Sequence, residues 1–268
     1  MDSQNHKDRH NYIRSLIVEM ISVNNRGHYG SAMSLVELLT FFYDDFMVYD
    51  SNNPNLPNRD RLILSKGHGC LALYSLLADK GFFDIKEIKN FSKFDSFLAG
   101  HPEKTTPGIE ASTGSLGHGL AVGVGIALAL KLKKINSKVI VILGDGELNE
   151  GSIWESALHA SKHNLDNLYV FVDYNKIQSY GFNNDVCNLE PLRQKWESFG
   201  FIVDEFNGHN YQEISSKVKR EYKFINKPYL FISHTIKGKG YPDAENNPLW
   251  HHKNFNQEEI EVLKKHFK

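Results

Sequence analysis

The sequence VIVILGDGELNEG at residues 139–151 joins a run of β-branched residues to a carboxylate, Asp145, that stands between two glycines. The run lacks alternation of apolar and polar residues, which is typical of a strand buried on both faces of a parallel sheet. Asp145 would then lie at the carboxyl edge of that sheet, where ligands bind in open α/β folds. Gly144 and Gly146 permit a tight turn and a close approach of the backbone to an anion. This segment therefore predicts a parallel sheet with a ligand site beside Asp145.

The rest of the chain favours an α/β fold. Four more short apolar runs predict strands at 61–65, 168–172, 201–206 and 229–233. Segments of helical period predict helices at 153–163, 189–199 and 211–224. A further helix is expected from Ser34 onward, with Ser34 as N-cap and Glu37 completing a capping box. Strands that alternate with helices predict a doubly wound, mostly parallel sheet with helices on both faces, and we expect one domain over residues 1–268.

Composition excludes several classes of protein. The 268 residues contain 31 Lys and Arg against 32 Asp and Glu, and this balance argues against an electrostatic binder of nucleic acid. The longest apolar stretch, 120–130, is shorter than the roughly 20 residues that span a bilayer, and the polar N-terminus does not resemble a signal peptide. Two cysteines, Cys70 and Cys187, are too few for a disulfide framework. We therefore expect a reduced, cytoplasmic protein that binds neither nucleic acid nor membrane.

The segment GHGLAVGVGIALA at 117–129 carries a small residue at most alternate positions. It lacks the third glycine of a dinucleotide-binding fingerprint and follows no predicted strand. We interpret it as a helix whose missing side chains let another backbone come close, and we expect that contact to lie at an interface.

Asn175 follows the predicted strand at 168–172, just as Asp145 follows the strand before it. The 30 residues from 145 to 175 accommodate one helix and one return strand, so both side chains reach the same sheet edge. There they could share a hard cation such as Mg²⁺, which keeps part of its coordination shell for phosphate oxygens.

Histidine is the second chemical signal. Five of the 13 histidines adjoin a glycine: His28, His68, His101, His118 and His209. Each taken singly is more often a surface or hydrogen-bonded histidine. Together with His251 and His252 they could line a site that handles hydroxyl and phosphate groups.

Six motifs in order give the chain a family resemblance. They are GHYG (27–30), LSKGHG (64–69), GHPE (100–103), TGSLG (113–117), GDG (144–146) with Asn175, and WH (250–251). Over about residues 10–255 the chain resembles the N-terminal, diphosphate-binding domain of thiamine-diphosphate transketolases. Full-length transketolases continue into two more domains, so the chain resembles the split transketolases, whose two halves are separate polypeptides.

The resemblance implies a set of site residues. Asp145, Asn175 and the carbonyl of Ile177 would ligate Mg²⁺ (or Ca²⁺). The residues implied in binding thiamine diphosphate are His68, Gly114, Leu116, Gly144, Gly146, Glu147, Asn175 and His251. His28, His101 and His251 would contact the sugar and move protons, and Glu150 would link the two active sites of a dimer. For Glu150 a simpler role stays open, because a carboxylate at a helix start also favours the helix dipole.

The chain departs from the family pattern at three places. Ser115 stands where the family has proline, so the loop against the cofactor's aminopyrimidine is expected to be less rigid. Tyr29 replaces a proline after the first histidine, and His252 stands where glycine is usual. None of these changes removes an implied metal ligand.

The implied reaction is transfer of a two-carbon ketol unit from a ketose (phosphate) to an aldose (phosphate). The family's activating glutamate, the aromatic pocket for the pyrimidine and the arginines that hold sugar phosphate belong to the other domain. We therefore expect a partner, the C-terminal transketolase subunit with the pyrimidine-binding domain, in a heterotetramer with two copies of each subunit. The sequence does not identify the ketose or the aldose.

Three alternatives stay open at this point. The chain could be a subunit of another thiamine-diphosphate enzyme, of the 2-oxo acid dehydrogenase or deoxyxylulose-phosphate synthase type. It could be a metal-dependent hydrolase that uses Asp145 and the histidines, of which His159 and His163 are spaced i,i+4. It could also be a non-catalytic assembly subunit.

Overall fold

The computed structural model describes residues 3–179, 181–220, 226–251 and 253–267. Within them five parallel strands form one sheet in the order β1-β2-β3-β5-β4. The strands are β1 (Arg61–Leu64), β2 (Val139–Gly144), β3 (Leu168–Tyr174), β4 (Ile202–Asn207) and β5 (Tyr229–His234). All five predicted strands and the α/β class are confirmed.

Ten α-helices surround the sheet in the described residues. They are α1 (Ser3–Asn24), α2 (Tyr29–Met33), α3 (Val36–Phe41), α4 (Cys70–Asp79), α5 (Gly119–Leu132), α6 (Gly151–Lys162), α7 (Asn183–Val186), α8 (Leu192–Ser198), α9 (Tyr211–Val218) and α10 (Gln257–His266). None of these helices is long and apolar enough to cross a membrane. The predicted helix at 211–224 is observed as far as Val218, and residues 221–225 lie outside the described part of the chain.

Each strand contributes side chains to two cores, one on each face of the sheet. In β2, Ile140 and Ile142 pack with α1 to α4, while Val139, Val141 and Leu143 pack with α5, α6 and α8. Burial on both faces explains why the strands are apolar throughout rather than alternating. Helices therefore cover both faces, as the sequence predicts.

The predicted capping box at Ser34 is wrong. Ser34 ends α2, and α3 begins at Val36 with Leu35 at its N-cap. The Ser34 hydroxyl instead donates to the Asp173 carboxylate on β3 at 2.7 Å. Glu37 faces inward to Arg14 and His209 rather than to the helix start. Long-range partners thus override a local capping pattern.

The small-residue segment is helix α5, and it packs closely on the sheet. A Cβ at Gly123 would meet the Val141 methyl group on β2, and one at Gly119 would meet Ser65. The prediction of close backbone packing is therefore confirmed within this chain. On the outer side Gly125 is exposed, and so is Val122. An interface of α5 with another chain stays a prediction.

Candidate functional site

The predicted site residues meet at the carboxyl edge of β2 and β3. Gly144 pairs in register with Asp173, so Asp145 and Asn175 emerge side by side. Ten of the thirteen predicted residues line one cavity of about 270 Å³: His68, Leu116, Gly144, Asp145, Gly146, Glu147, Glu150, Asn175, Ile177 and His251. Of the other three, His28 contacts the rings of His68 and His251, and His101 lies behind it, against His28 and Gly114. The structure thus brings together all the residues that the resemblance implies.

Asp145 is held by backbone donors in an environment that disfavours its charge. Its carboxylate accepts N–H groups of Gly146 at 2.8 Å and Lys176 at 2.5 Å. Burial, with the nearby Asp173 carboxylate, raises the pKa of Asp145 to about 6. A cation placed beside Asp145 would relieve this cost.

The other two predicted metal ligands are also oxygen groups. The Asn175 side-chain oxygen accepts the N–H of Ile177 at 3.1 Å, and its amide group donates to Asp173 at 3.2 Å. The Ile177 carbonyl accepts from the Lys237 ammonium at 2.8 Å. One carboxylate, one amide and one carbonyl make a hard oxygen set of the kind that Mg²⁺ and Ca²⁺ prefer.

Two buried lysines in the cavity were not assigned a role from the sequence. Lys66 forms an ion pair with Asp173, and Lys237 donates to the Ile177 carbonyl. Burial and the positive charge of Lys66 lower the pKa of Lys237 to about 8. Lys66 lies inside the LSKGHG motif, which was a usable signal, whereas nothing local distinguishes Lys237 from a surface lysine.

Glu147 ties two loops together. Its carboxylate accepts from the Ser65 hydroxyl, from the Gly117 N–H at 2.9 Å and from the Gly144 N–H at 3.1 Å. It therefore fixes the TGSLG loop against the GDG turn. With Asp145 and Asp173, Glu147 makes three buried carboxylates against the ammonium groups of Lys66 and Lys237.

Four histidine rings cluster beside the cavity, and two of them, His68 and His251, line it. The His28 ring lies 5.3 Å from His68, 5.9 Å from His101 and 5.4 Å from His251, measured between ring centroids. Burial and the Lys66 charge hold the pKa of His68 well below its usual value, so this imidazole is neutral at pH 7. Ser179 pairs with His251 at 3.0 Å.

The expectation for glycine-flanked histidines is wrong at two positions. His118 is exposed at the start of α5, and His209 bonds to Glu37 and to the backbone of Ile236 outside the cavity. His252 lies outside the described residues. Tertiary position, rather than a neighbouring glycine, decides which histidines meet.

The TGSLG loop fits tightly against its neighbours at Gly114. This residue has φ +149°, and a Cβ there would lie 3.2 Å from the His101 ring. Gly67 likewise leaves no room, since its Cβ would lie 2.9 Å from the backbone of Thr113 and Gly114. Ser115, which stands at the family's proline position, is exposed.

Glu150 sits at the N-cap of α6 without a side-chain capping bond, and it is exposed at the cavity rim. A carboxylate at this helix start agrees with the simpler role, a favourable interaction with the helix dipole. A role in linking two active sites stays a prediction.

The family described as "Transketolase, thiamine diphosphate binding domain" matches residues 5–268. The chain belongs to the transketolase family. It is 41% identical over 249 residues to the 6-deoxy-6-sulfo-D-fructose transketolase subunit SqwG of Clostridium sp. (strain MSTE9), covering 92% of this chain and 90% of that protein. It is also 41% identical over 240 residues to an apulose-4-phosphate transketolase subunit of Phocaeicola vulgatus, covering 89% of this chain and 85% of that protein.

Full-length transketolases match over part of their length. The crystal structure of the Campylobacter jejuni transketolase superposes with a TM-score of 0.93 at 34% identity, covering all of this chain and 43% of that one. The human transketolase is 34% identical over 248 residues, which are 92% of this chain and 39% of that protein. This transketolase chain thus corresponds to the N-terminal part of the longer enzymes, and both the recognised family and the fold are confirmed.

The metal-dependent hydrolase gains no support. His159 on α6 and His163 at its C-cap stack with ring centroids 6.3 Å apart. In the described residues no group of three or more His, Cys, Asp and Glu side chains is placed to hold a metal.

Proposed function

We propose that this chain is the N-terminal subunit of a two-subunit transketolase that uses thiamine diphosphate and Mg²⁺ (or Ca²⁺). The observation that carries the proposal is the convergence of a hard oxygen set, two buried ammonium groups and four histidines at one sheet edge. The reaction is transfer of a two-carbon ketol unit from a ketose to an aldose.

The residues present fit the cofactor and the metal. Asp145, Asn175 and the Ile177 carbonyl would hold the metal, and the excess of buried carboxylates over ammonium groups favours a cation there. Lys66 and Lys237 would offset the charge of the diphosphate. Gly146 lets Gln178 pack closely against the turn, because a Cβ there would lie 3.1 Å from the Gln178 side chain.

When bound, thiamine diphosphate would supply a carbon nucleophile for the ketose. This chain orients the substrate and moves protons. His28, His101 and His251 present imidazoles that can give and take protons at the sugar hydroxyls. His68, neutral because it is buried beside Lys66, would donate a hydrogen bond to the diphosphate without adding charge. Glu150 would relay charge to a second active site.

The partner proposal rests on relatives of similar length. Proteins that this chain covers over 85% and 90% of their length are named transketolase subunits, whereas full-length transketolases are covered over 39% and 43%. The other thiamine-diphosphate enzymes are disfavoured, since these relatives are transketolases. We therefore propose a C-terminal subunit with the pyrimidine-binding domain, assembled as two copies of each. We also propose that the enzyme is cytoplasmic, which two unpaired cysteines support.

The relatives suggest a class of substrate. One is named for 6-deoxy-6-sulfo-D-fructose and the other for apulose 4-phosphate, and both sugars carry an anionic group. We propose that the donor of this enzyme is also a sugar with a phosphate or sulfonate group.

A native mass spectrum of the tagged chain from its source cells tests the assembly. We expect a complex with a second protein, with added mass for thiamine diphosphate and a divalent metal. That complex should transfer a ketol unit from at least one phosphorylated or sulfonated ketose. Full turnover by the chain alone would contradict the partner. An intact complex that binds no cofactor when thiamine diphosphate and Mg²⁺ are added would show a purely structural role instead.

A further inference from the structure

A buried chain of polar contacts runs from α1 to the segment that follows β5. The Arg14 guanidinium donates to Glu37 Oε1 at 2.5 Å, and Glu37 Oε2 meets His209 Nδ1 at 3.0 Å. The Arg14 charge and the His209 hydrogen bond hold the pKa of Glu37 far below its usual range although burial opposes this, so Glu37 is a carboxylate.

The hydrogen bonds at the His209 end of this series of polar contacts determine the tautomer of the His209 ring. His209 Nε2 accepts the backbone N–H of Ile236 at 2.8 Å. Because a backbone N–H can only donate, Nε2 must carry a lone pair and the ring proton must sit on Nδ1. That proton is then donated to Glu37. The donors and acceptors of Arg14, Glu37 and His209 therefore match in a single pattern of hydrogen bonds.

These contacts hold the backbone on both sides of Lys237, the buried lysine in the candidate cofactor cavity. His209 holds Ile236 on one side of it, and Arg14 Nε donates to the Lys239 carbonyl at 3.1 Å on the other. Between them Gly238 has φ +79°, and a Cβ there would meet the backbone of Ala244. The backbone around Lys237 therefore has little freedom to shift.

We propose that Glu37 and His209 are positioning residues that hold Lys237 in place for the diphosphate of the cofactor. The inference deepens the proposed function, because it assumes that Lys237 meets the diphosphate. If Arg14, Glu37 and His209 only stabilise the fold, replacing them lowers the free energy of unfolding. The contribution of Lys237 to cofactor affinity then stays unchanged.

A double-mutant cycle separates these possibilities. The complex of the full chain with its copurified partner is prepared with His209→Phe, Lys237→Met and both changes, and thiamine diphosphate affinity is measured by calorimetry with Mg²⁺. We expect His209→Phe to raise Kd about 10-fold with Lys237 present and less than about 2-fold with Lys237→Met. His209→Gln, which can offer both an acceptor and a donor, should recover most of the affinity. His234→Phe is the matched control, because its Nε2 also meets a glutamate, Glu205, at 2.8 Å.

The outcomes distinguish the inference from the proposed function. Equal losses from His209→Phe in both backgrounds, or a similar loss in His234→Phe, would overturn the positioning role. No loss in Lys237→Met would overturn it too, by showing that Lys237 does not meet the diphosphate. No Mg²⁺-dependent binding by the unmodified complex would instead refute the proposed function. If His209→Phe does not fold, Glu37→Gln takes its place in the same cycle, since it keeps the shape and removes the charge.

Discussion

Asp145→Asn is expected to separate cofactor binding from stability. The rise of the pKa of Asp145 from 3.8 to about 6 means that its ionised form costs the fold about 3 kcal/mol at pH 7. Asparagine removes this cost. It also turns one of the two accepting oxygens into a donor, which leaves one backbone N–H unpaired at a cost of about 1–3 kcal/mol. The two changes nearly cancel, so without metal and cofactor the free energy of unfolding should change by less than about 2 kcal/mol.

Asp173→Asn is the matched control on the same sheet edge. Burial alone would raise the pKa of Asp173, but the Lys66 ammonium and the hydroxyl donors Thr235 and Ser34 hold it below its usual value. Asparagine would leave Lys66 buried without its counter-charge. We therefore expect Asp173→Asn to lower the free energy of unfolding by about 3–5 kcal/mol.

Two measurements check this pair. Urea unfolding of the full chain in EDTA, followed by tryptophan fluorescence, gives stability, and calorimetry of the complex gives Mg²⁺-dependent thiamine diphosphate affinity. Asp145→Asn should weaken that affinity at least about 100-fold, since even residues behind a metal ligand contribute 10- to 100-fold. Unchanged affinity in Asp145→Asn would refute its place in the metal site. A stability loss as large as that of Asp173→Asn would refute the charge reasoning.

Two further predictions concern stability alone. Gly123→Ala should destabilise the chain by about 1–3 kcal/mol because the new methyl group meets Val141, whereas Gly125→Ala on the exposed side of α5 should stabilise it by about 0.5–1 kcal/mol; equal effects in urea unfolding would contradict the packing of α5. Burial lowers the pKa of His10 from 6.5 to about 4, so the unfolded chain binds one more proton than the folded chain between these values. The free energy of unfolding should therefore fall as pH drops from 6.5 to 4, with up to about 3 kcal/mol from this group. His10→Gln should lose less stability than the unmodified chain between pH 7 and about pH 4.5, and an equal loss would show that His10 is not responsible.

The five strands and their parallel arrangement were predictable from the sequence, and the structure confirms them. Strands buried on both faces must be apolar throughout, and this signal is local, so 139–143 is recognisable without a structure. For the site, the ordered motifs implied thirteen residues through the family resemblance, and ten of them line one cavity.

Which polar side chains meet depends on the tertiary fold. Ser34 and Glu37 have the spacing of a capping box, yet they bond to Asp173, Arg14 and His209, which are distant in sequence. The residues next to Lys237 in the sequence do not indicate that it is buried. The turn after β5 nevertheless brings its ammonium group to the Ile177 carbonyl. The reason is physical: a buried polar group must find a partner, and that partner can come from any part of the chain that the fold brings near.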